Sequence, residues 1–343
     1  MSIWNELTGK DSDVVISSRV RYARNLSGFP FTHAAKMASL EEILDKVKTS
    51  TEKMKIASNL KWIDLRKTTL IDRYCLIEKH LMSPEMLIGK HPSALILNSD
   101  ESLSVMVNEE DHLRIQAILP GLQMDMAYKM CNDFEEQLGS KLDYAFDDKL
   151  GYLTSCPTNL GTAMRVSAMM HLPAMVAMGV INKILEACGK IGVAVRGVYG
   201  ENSEAEGNIF QISNQVTLGR KEDDIISNMT HIVGQIIEQE RALRQKMYND
   251  SKIGTEDKVF RAYGVLSNAR SVTCNESMDL ISWIRLGIYM NIIDFVNPVK
   301  MNTLLVDIQP GNIQKRYGEN LSGEERDVKR ADLCREMIRR EQI

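Results

Sequence analysis

The chain has 343 residues, 44% hydrophobic and 26% charged, which is typical of a globular protein larger than one compact domain. A formal charge of −4 excludes the overall basic field that would attract nucleic acid, and no apolar run is long enough to cross a membrane. The N-terminus has no signal-peptide pattern, and the six cysteines form no CxxC pair, so we expect reduced thiols, a cytoplasmic location and no structural metal site.

Strand and helix patterns are intermixed through the first 250 residues. The predicted strands span residues 14–18, 60–65, 94–98, 103–108, 113–118, 193–200 and 208–213, and the predicted helices span 39–57, 69–81, 124–138, 173–188 and 222–247. Ser39 and Glu42 have the spacing of a capping box, while Gly139 and Gly189 stand where helices are expected to end. Because there is no regular βαβ rhythm, we predict an α/β (α+β) fold with a largely antiparallel sheet flanked by helices.

The pattern changes after a predicted linker at residues 249–254. Beyond it the chain is mainly helical, with helices predicted at 256–266, 276–289 and 324–340. We therefore divide the chain into a first domain at 1–250 and a helical C-terminal domain at 251–343.

An acidic segment stands between two of the predicted strands, where Val107 is followed by Asn-Glu-Glu-Asp-His and then Leu113. The adjacent carboxylates of Glu109 and Glu110 at a strand end can point to opposite faces. One can then act as a base while the other holds a cation or a partner. The alternative is a charged hairpin turn without chemistry.

Arginines stand at the ends of several predicted strands. Guanidinium groups match phosphate oxygens and keep their charge, so arginines that converge would hold a nucleoside triphosphate. Neither a P-loop nor a kinase Gly-rich loop is present in the sequence. Each arginine taken alone is better explained as a surface residue, and one sequence does not show whether they converge. The arginines in question are Arg19, Arg21, Arg114, Arg165 and Arg196.

Three segments resemble the hallmark motifs of the phosphagen (guanidino) kinases, such as creatine and arginine kinase. They are the Ser-Ser-Arg-Val-Arg run at 17–21, Val-Asn-Glu-Glu-Asp-His-Leu-Arg at 107–114 and Cys-Pro-Thr-Asn-Leu-Gly-Thr at 156–162. They occur in the family's order and spacing. The resemblance implies a phosphagen-kinase-like catalytic domain that uses ATP and Mg²⁺ to phosphorylate a guanidinium nitrogen.

The resemblance also implies nucleotide contacts. The five arginines above match the family's phosphate clamp, and His80 matches a histidine that lies against the nucleotide base; its alternative is an ordinary helix-end histidine. The matching nucleotide-binding stretches are Ser17, Ser18, Arg19, Val20 and Arg21, then Arg165, Val166, Ser167, Ala168 and Met169, and finally Arg196, Gly197, Val198, Tyr199, Gly200 and Glu201.

Four residues match positions of the family that handle the guanidinium. Glu110 matches the carboxylate that orients and deprotonates it, with Glu109 beside it, and Cys156 matches a reactive cysteine next to the substrate. Glu201 would supply a second carboxylate. The alternative for Cys156 is a small buried residue. A carboxylate suits this chemistry because a guanidinium is a weak nucleophile until a base takes its proton.

Two departures from creatine and arginine kinase indicate a subfamily. The Ser-Ser-Arg motif starts at Ser17, so we do not expect the helical domain that precedes it in those enzymes, and about ninety residues follow Ser251 instead. This arrangement, together with an RDxxRA motif, resembles the bacterial protein-arginine kinases. The motif comprises Arg326, Asp327, Arg330 and Ala331, and we expect it to bind phosphoarginine as an allosteric site.

The resemblance implies protein substrates with exposed arginines, which would be marked for a Clp-type protease. It also implies a heat-shock repressor as a target, a zinc-binding activator protein, and a homodimer or higher oligomer, without nucleic-acid or membrane partners. Two alternatives remain, a small-guanidine kinase and a non-catalytic adaptor. Ala163 and Thr217 depart from the small-substrate kinases, which have glycine and, in creatine kinases, arginine there.

Overall fold

A computed structural model describes residues 2–89, 91–197, 206–318 and 320–339. Its strands are β1 Val15–Arg24, β2 Leu60–Asp64, β3 Ala94–Asn98, β4 Leu103–Val107, β5 Leu113–Pro120, β6 Phe146–Asp147, β7 Gly151–Tyr152, β8 Met164–His171, β9 Val193–Gly197 and β10 Ile209–Asn214. Its helices are α1 Ile3–Glu6, α2 Met37–Glu52, α3 Leu70–Glu78, α4 Met124–Gly139, α5 Pro173–Ala177, α6 Ile181–Lys190, α7 Glu222–Asp250, α8 Lys252–Asn268, α9 Cys274–Tyr289, α10 Pro298–Asp307, α11 Pro310–Tyr317 and α12 Gly323–Ile338.

The main sheet has eight strands in the order β2-β3-β4-β5-β1-β8-β10-β9. Every pairing in it is antiparallel. The predicted class, a mainly antiparallel sheet flanked by helices, is confirmed. None of the helices in the described parts of the chain has the length and apolar character needed to pass through a bilayer.

The two faces of the sheet differ in what covers them. On the first face, alternate side chains of the central strands pack with α2, α4 and α7; examples are Val20, Ile115 and Val166. On the second face, one end of the sheet packs against the helices after Ser251, through residues such as Ile118 and Met169. The rest of the second face is polar and forms the candidate site.

Three local predictions were wrong. Ser39 does not cap a helix, because α2 already begins at Met37. The helix expected at 173–188 is two helices, and Gly179 between them has φ +68°, a left-handed conformation that breaks the helix and that glycine adopts without strain. The linker expected at 249–254 is absent, because only Ser251 separates α7 from α8.

The helices after Ser251 include α10 and α11, which the sequence pattern did not indicate. The division into domains at 1–250 and 251–343 stays a prediction. In the structure the C-terminal helices share an apolar cluster with the sheet.

Candidate functional site

Arginine side chains from neighbouring strands meet on the second face of the sheet. β1 lies between β5 and β8, and Arg21 is directly opposite Gln116 on one side and Arg165 on the other. Directly opposed residues of adjacent strands point to the same face, and the face repeats every second residue. The structure thus brings together all five arginines that the sequence singled out, namely Arg19, Arg21, Arg114, Arg165 and Arg196.

The arginines line two adjoining cavities. We call the first the histidine cavity; it has a volume of about 240 Å³ and contains His80, Gln116 and Gln211 in its wall. We call the second the carboxylate cavity; it has a volume of about 220 Å³ and contains Glu110 and Cys156. The wall that both cavities share consists of Arg21, Arg114, Arg165 and Arg196.

Burial and neighbouring arginines disfavour the positive charge of Arg19, in the histidine cavity, and of Arg21, in the shared wall. Burial, together with Arg114 and Arg165, lowers the pKa of Arg19 to about 10. The pKa of Arg21 is also lowered, first by burial and then by Arg19, and its Nε has no hydrogen-bond partner. Desolvated cations that repel each other are stabilised by an anion with several charges, so this wall is suited to a polyphosphate.

Glu109 holds Arg114, one of the arginines of the shared wall, in place. Its carboxylate accepts bonds from Arg114 Nη1 at 2.6 Å, from Ser83 Oγ at 2.7 Å and from the Glu110 N–H at 2.8 Å. Burial alone would raise the pKa of Glu109, but Arg114 and these bonds outweigh burial and leave the pKa lowered. Glu109 therefore stays ionised and anchors Arg114.

Glu110 has the opposite electrostatic character. It is exposed at the edge of the carboxylate cavity, and burial of part of its carboxyl group, then repulsion from Asp111 and Glu109, raises its pKa. Its backbone is fixed, because Ser155 Oγ donates to the Glu110 carbonyl at 2.8 Å and Asp111 accepts a bond from the Ser155 N–H at 2.7 Å. A carboxylate with a raised pKa in a fixed position can accept a proton.

Cys156 lies in the same cavity, next to Thr158, whose hydroxyl is 3.0 Å from the thiol sulfur. Thr217 holds this loop in place by donating to the carbonyl of Leu160 at 2.6 Å. Thus the threonine that replaces an arginine of creatine kinase has a structural role. Ala163, also in the cavity wall, has φ +49°, a conformation that favours glycine.

His80 follows the end of α3 and faces the histidine cavity, so it is both a helix-end histidine and a site residue. Burial, and then Arg19, lowers its pKa to about 3, so it stays neutral in the physiological range. Its carbonyl accepts a bond from Gln116 Nε2 at 2.7 Å, and its ring centroid lies 5.5 Å from that of Trp4. A neutral ring at this wall is suited to packing against a flat base.

Several predicted nucleotide contacts lie elsewhere in the strands. Ser18 Oγ donates to the Gly121 carbonyl, Ser17 and Ser167 are buried, and Met169 packs with the C-terminal helices. Val20, Val166 and Ala168 lie in the core on the opposite face. None of these seven residues is among the described lining of either cavity, whereas Gly197 is. Val198, Tyr199, Gly200 and Glu201 fall outside the described residues.

The C-terminal motif is divided between a buried half and an accessible half. Arg330 is buried and donates to the carbonyls of Ile308 at 2.7 Å and Val272 at 3.0 Å, and it is also paired with Asp327. Ala331 is buried beside it. Arg326 and Asp327 are partly exposed, and Arg326 Nη1 donates to the Leu321 carbonyl at 2.9 Å.

Sequence reasoning missed several wall residues. Gln116 is two residues from Arg114 on β5, and the alternation of that strand could have placed both on one face. Ser83 had no signal, because its contact with Glu109 spans 26 residues of chain. The other missed wall residues are Tyr22, Ala23, Ile77, Met82, Pro84, Glu85, Met106, Asp111, Thr158, Asn159 and Gln211.

Two family models match the chain. Residues 42–243 match "ATP:guanido phosphotransferase, C-terminal catalytic domain", and residues 252–342 match "Protein-arginine kinase McsB C-terminal domain". Among curated relatives, the protein-arginine kinase of Brevibacillus brevis is 45% identical over 340 residues, covering 98% of this chain and 95% of that protein. The protein-arginine kinase of Syntrophomonas wolfei is 44% identical, covering 97% and 94%.

Solved structures agree with the fold. Lombricine kinase matches with a TM-score of 0.62 at 21% identity, covering 71% of this chain and 70% of that chain. The duplicated taurocyamine kinase of Schistosoma mansoni, solved with transition-state analogue components, also matches at 0.62, with 22% identity, covering 94% of this chain and 43% of that chain.

Proposed function

The chain belongs to the protein-arginine kinases of the ATP:guanido phosphotransferase family, and from that premise we propose that it transfers the γ-phosphoryl group of ATP to arginine side chains of proteins. The observation that carries the proposal is the shared wall of four arginines between the histidine cavity and the carboxylate cavity. If the phosphate chain of ATP lay along this wall, its adenine base would lie in the histidine cavity and the acceptor guanidinium would lie in the carboxylate cavity.

The arginines neutralise the negative charge of the phosphates. The substrate is the magnesium-bound nucleotide, and its adenine base lies beside His80. Arg19 and Arg21 then neutralise the charge of its phosphates. Arg165 and Arg196 line both cavities and so hold the phosphoryl group as it passes from one to the other. Planar guanidinium forks held in place before the reaction stabilise the charge that spreads over the transferred group.

Glu110 acts on the acceptor. Its carboxylate orients the guanidinium of the substrate and takes one of its protons as the N–P bond forms and the bond from the γ-phosphorus to the bridging oxygen of ADP breaks. Repulsion from Glu109 and Asp111 adds to partial burial in raising the pKa of Glu110, and so makes it a better proton acceptor. Glu109 keeps its negative charge and holds Arg114.

The acceptor is proposed to be a protein side chain. In support, the segments around the carboxylate cavity expose apolar side chains: Leu150 and Leu218 are 43% and 50% exposed, and Phe146 is 57% exposed. Leu150 and Leu218 adjoin the cavity loop directly, through Gly161. The Gly161 N–H donates to the Leu150 carbonyl at 2.8 Å, and a Cβ at Gly161 would lie 2.7 Å from the Leu218 Cα. An apolar rim beside a guanidinium site suits an unfolded protein segment better than a free small guanidine.

We further propose the cellular role that the family resemblance implies. Phosphorylated proteins would be marked for a Clp-type protease, a heat-shock repressor would be among the targets, and a zinc-binding protein would activate the kinase. The enzyme would work in the cytoplasm as a homodimer or higher oligomer. Mixing the purified kinase with each candidate protein and measuring phosphoarginine and complex size would test each proposal separately.

The RDxxRA motif is proposed to bind phosphoarginine on proteins. Support comes from Arg326 and Asp327, which are partly exposed and could pair with a phosphate and a guanidinium respectively. Arg330, which is buried and paired with Asp327, would hold the Asp327 carboxylate in position.

The proposed activity is tested by offering three acceptors in turn: an unfolded arginine-rich protein, free arginine and creatine. Mass spectrometry under neutral or basic conditions detects acid-labile phosphoarginine, while ADP release gives the rate. We expect phosphoarginine on the protein and little turnover of the free guanidines. Preferential turnover of a free guanidine would support the small-guanidine kinase. Absence of ATP turnover with all three acceptors would support the non-catalytic adaptor.

A further inference from the structure

A buried carboxylate joins the catalytic region to the C-terminal helices. Glu78 is the last residue of α3, and only 7% of its surface is exposed. Its carboxylate accepts bonds from the Gly311 N–H at 2.6 Å, the Asn312 N–H at 2.8 Å and Asn312 Nδ2 at 2.7 Å. Both residues belong to the first turn of α11, so Glu78 fixes the end of one helix against the start of another.

The close approach depends on glycine at position 311. A Cβ there would lie 2.9 Å from each carboxylate oxygen of Glu78 and 2.7 Å from the Cβ of Tyr74. No side chain fits in that space, so the two helices are held at a defined separation.

The α3 end of this contact leads directly to the histidine cavity. Two residues after Glu78 comes His80, whose left-handed φ of +59° turns the chain into the cavity wall. Two side chains hold the turn through its carbonyls: the Lys79 carbonyl accepts from Trp4 Nε1 at 3.2 Å and the His80 carbonyl accepts from Gln116 Nε2. The direction of the α3 end therefore influences where the His80 ring lies.

The α11 end of the contact leads to the RDxxRA motif. Arg330 donates through Nε to the carbonyl of Ile308, three residues before Gly311. Burial raises the pKa of Glu78, while its three hydrogen bonds and the charge of Arg330 act in the opposite direction. The motif and the histidine cavity are thus linked by two hydrogen-bonded contacts, Arg330 with Ile308 and Glu78 with α11, which the short chain segments 308–311 and 78–80 connect.

We propose that Glu78 is a positioning residue through which the C-terminal helices set the His80 wall of the nucleotide site, and with it the affinity for ATP. The inference rests on the proposed function, because it takes the histidine cavity as the place of the base. It assigns the C-terminal helices a part in nucleotide binding that the RDxxRA motif by itself does not imply.

The test is the substitution Glu78→Gln. The new amide keeps the shape but turns a donor toward the donating N–H groups of α11, so one of them loses its partner. We expect the Kd and the KM for ATP to rise about tenfold, while kcat and the KM for the protein substrate stay within about twofold. The matched control is Asp72→Asn, which removes the exposed 2.9 Å ion pair between Asp72 of α3 and Lys315 of α11. It should change no constant by more than about twofold.

Three results would overturn the inference: unchanged ATP affinity in folded Glu78→Gln, a fall in kcat without a change in the KM for ATP, or an equal effect of Asp72→Asn. If Glu78→Gln does not fold, Asn312→Ala removes only the side-chain bond, and it should weaken ATP binding by about threefold; unchanged affinity would again overturn the inference. Calorimetry with ATP alone needs no protein substrate. A chain that binds ATP but phosphorylates no arginine would refute the proposed function without deciding the outcome for Glu78.

Discussion

Two arginines three residues apart on β1 have opposite environments. Arg21 faces the cavities, lies among other arginines and has an Nε without a hydrogen-bond partner. Arg24 points to the other face, where its Nε donates to Glu135 at 2.6 Å and its guanidinium lies 3.4 Å from the ring centroid of Tyr152. The buried charge of Arg24 is thus paired with a carboxylate, whereas Arg21 lies among like charges and its Nε has no hydrogen-bond partner.

The two neighbouring glutamates differ in the same way. Glu109 is held by Arg114 and Ser83, and its pKa is lowered. Glu110 is exposed to the cavity, and its pKa is raised. In both pairs, the residue with satisfied interactions supports the framework, and its neighbour of the same type is available for chemistry. This distinction predicts which substitutions cost stability and which cost activity.

The largest effect is expected from Arg24→Met. It leaves Glu135 as a buried carboxylate without its cation, so the free energy of unfolding should fall by about 3–5 kcal/mol. Urea unfolding followed by circular dichroism measures the loss. In the control, Arg24→Met with Glu135→Leu removes both charges and should recover much of the stability. A loss below about 1 kcal/mol in the single variant would place Arg24 outside the framework.

Glu110→Gln should lower the phosphorylation rate by about a hundredfold or more, the scale for loss of a general base. ATP affinity should change little, because Glu110 does not line the histidine cavity in the described structure. The base works only when deprotonated, so in the wild type kcat/KM should rise with pH through the raised pKa of Glu110, and this dependence should vanish in the variant. Substantial residual activity with weakened ATP binding would mean that the base is another residue.

The RDxxRA motif also contains a buried arginine with satisfied hydrogen bonds and a more accessible one, and substitutions there should have smaller effects. Arg330→Ala removes bonds to two buried carbonyls and should lower the free energy of unfolding by about 2 kcal/mol. Arg326→Ala should leave stability nearly unchanged and weaken the binding of free phosphoarginine, as measured by calorimetry. Equal phosphoarginine affinity in wild type and Arg326→Ala would exclude Arg326 from such a site.

The smallest effect concerns Ala163, whose φ of +49° is unfavourable for a residue with a Cβ. Ala163→Gly relieves this strain but adds freedom to the unfolded chain, so the net gain in the free energy of unfolding should be about 0.5 kcal/mol. Ala242→Gly in the exposed part of α7 is the control, and it should lose about 1 kcal/mol. A loss at both positions would show that the loop accommodates alanine without strain.

Local patterns were enough to predict much of the sheet. Alternation along β4 and β5 located those strands. The first strand was predicted only to residue 18, whereas β1 continues to Arg24, and the two-residue spacing of Arg19 and Arg21 within it puts both on one face. The break at Gly179 was missed because apolar residues continue at helical spacing on both sides of it. Periodicity shows which face of a helix is buried, and it does not detect a single residue that interrupts the helix.

The site was predictable only in part, for a related reason. The family resemblance identified the five arginines and Glu110, but the partner that separates Arg24 from Arg21 is Glu135, 111 residues away in the sequence. The link from Glu78 to Gly311 spans 233 residues. Contacts of this kind depend on how the helices pack against the sheet, and no short-range pattern encodes them.

The central claim is that the arginines of the shared wall repel one another in the free protein and that the phosphates of ATP relieve this repulsion. Arg21→Met tests the claim most directly. Thermal unfolding of wild type and variant, each with and without magnesium and ATP, gives four midpoints. Without nucleotide, the variant should unfold at a higher temperature than the wild type, because a buried, repelled charge is gone. With saturating ATP, the variant should gain less stability than the wild type. A variant that is less stable than the wild type without nucleotide, and gains as much from ATP, would contradict the account.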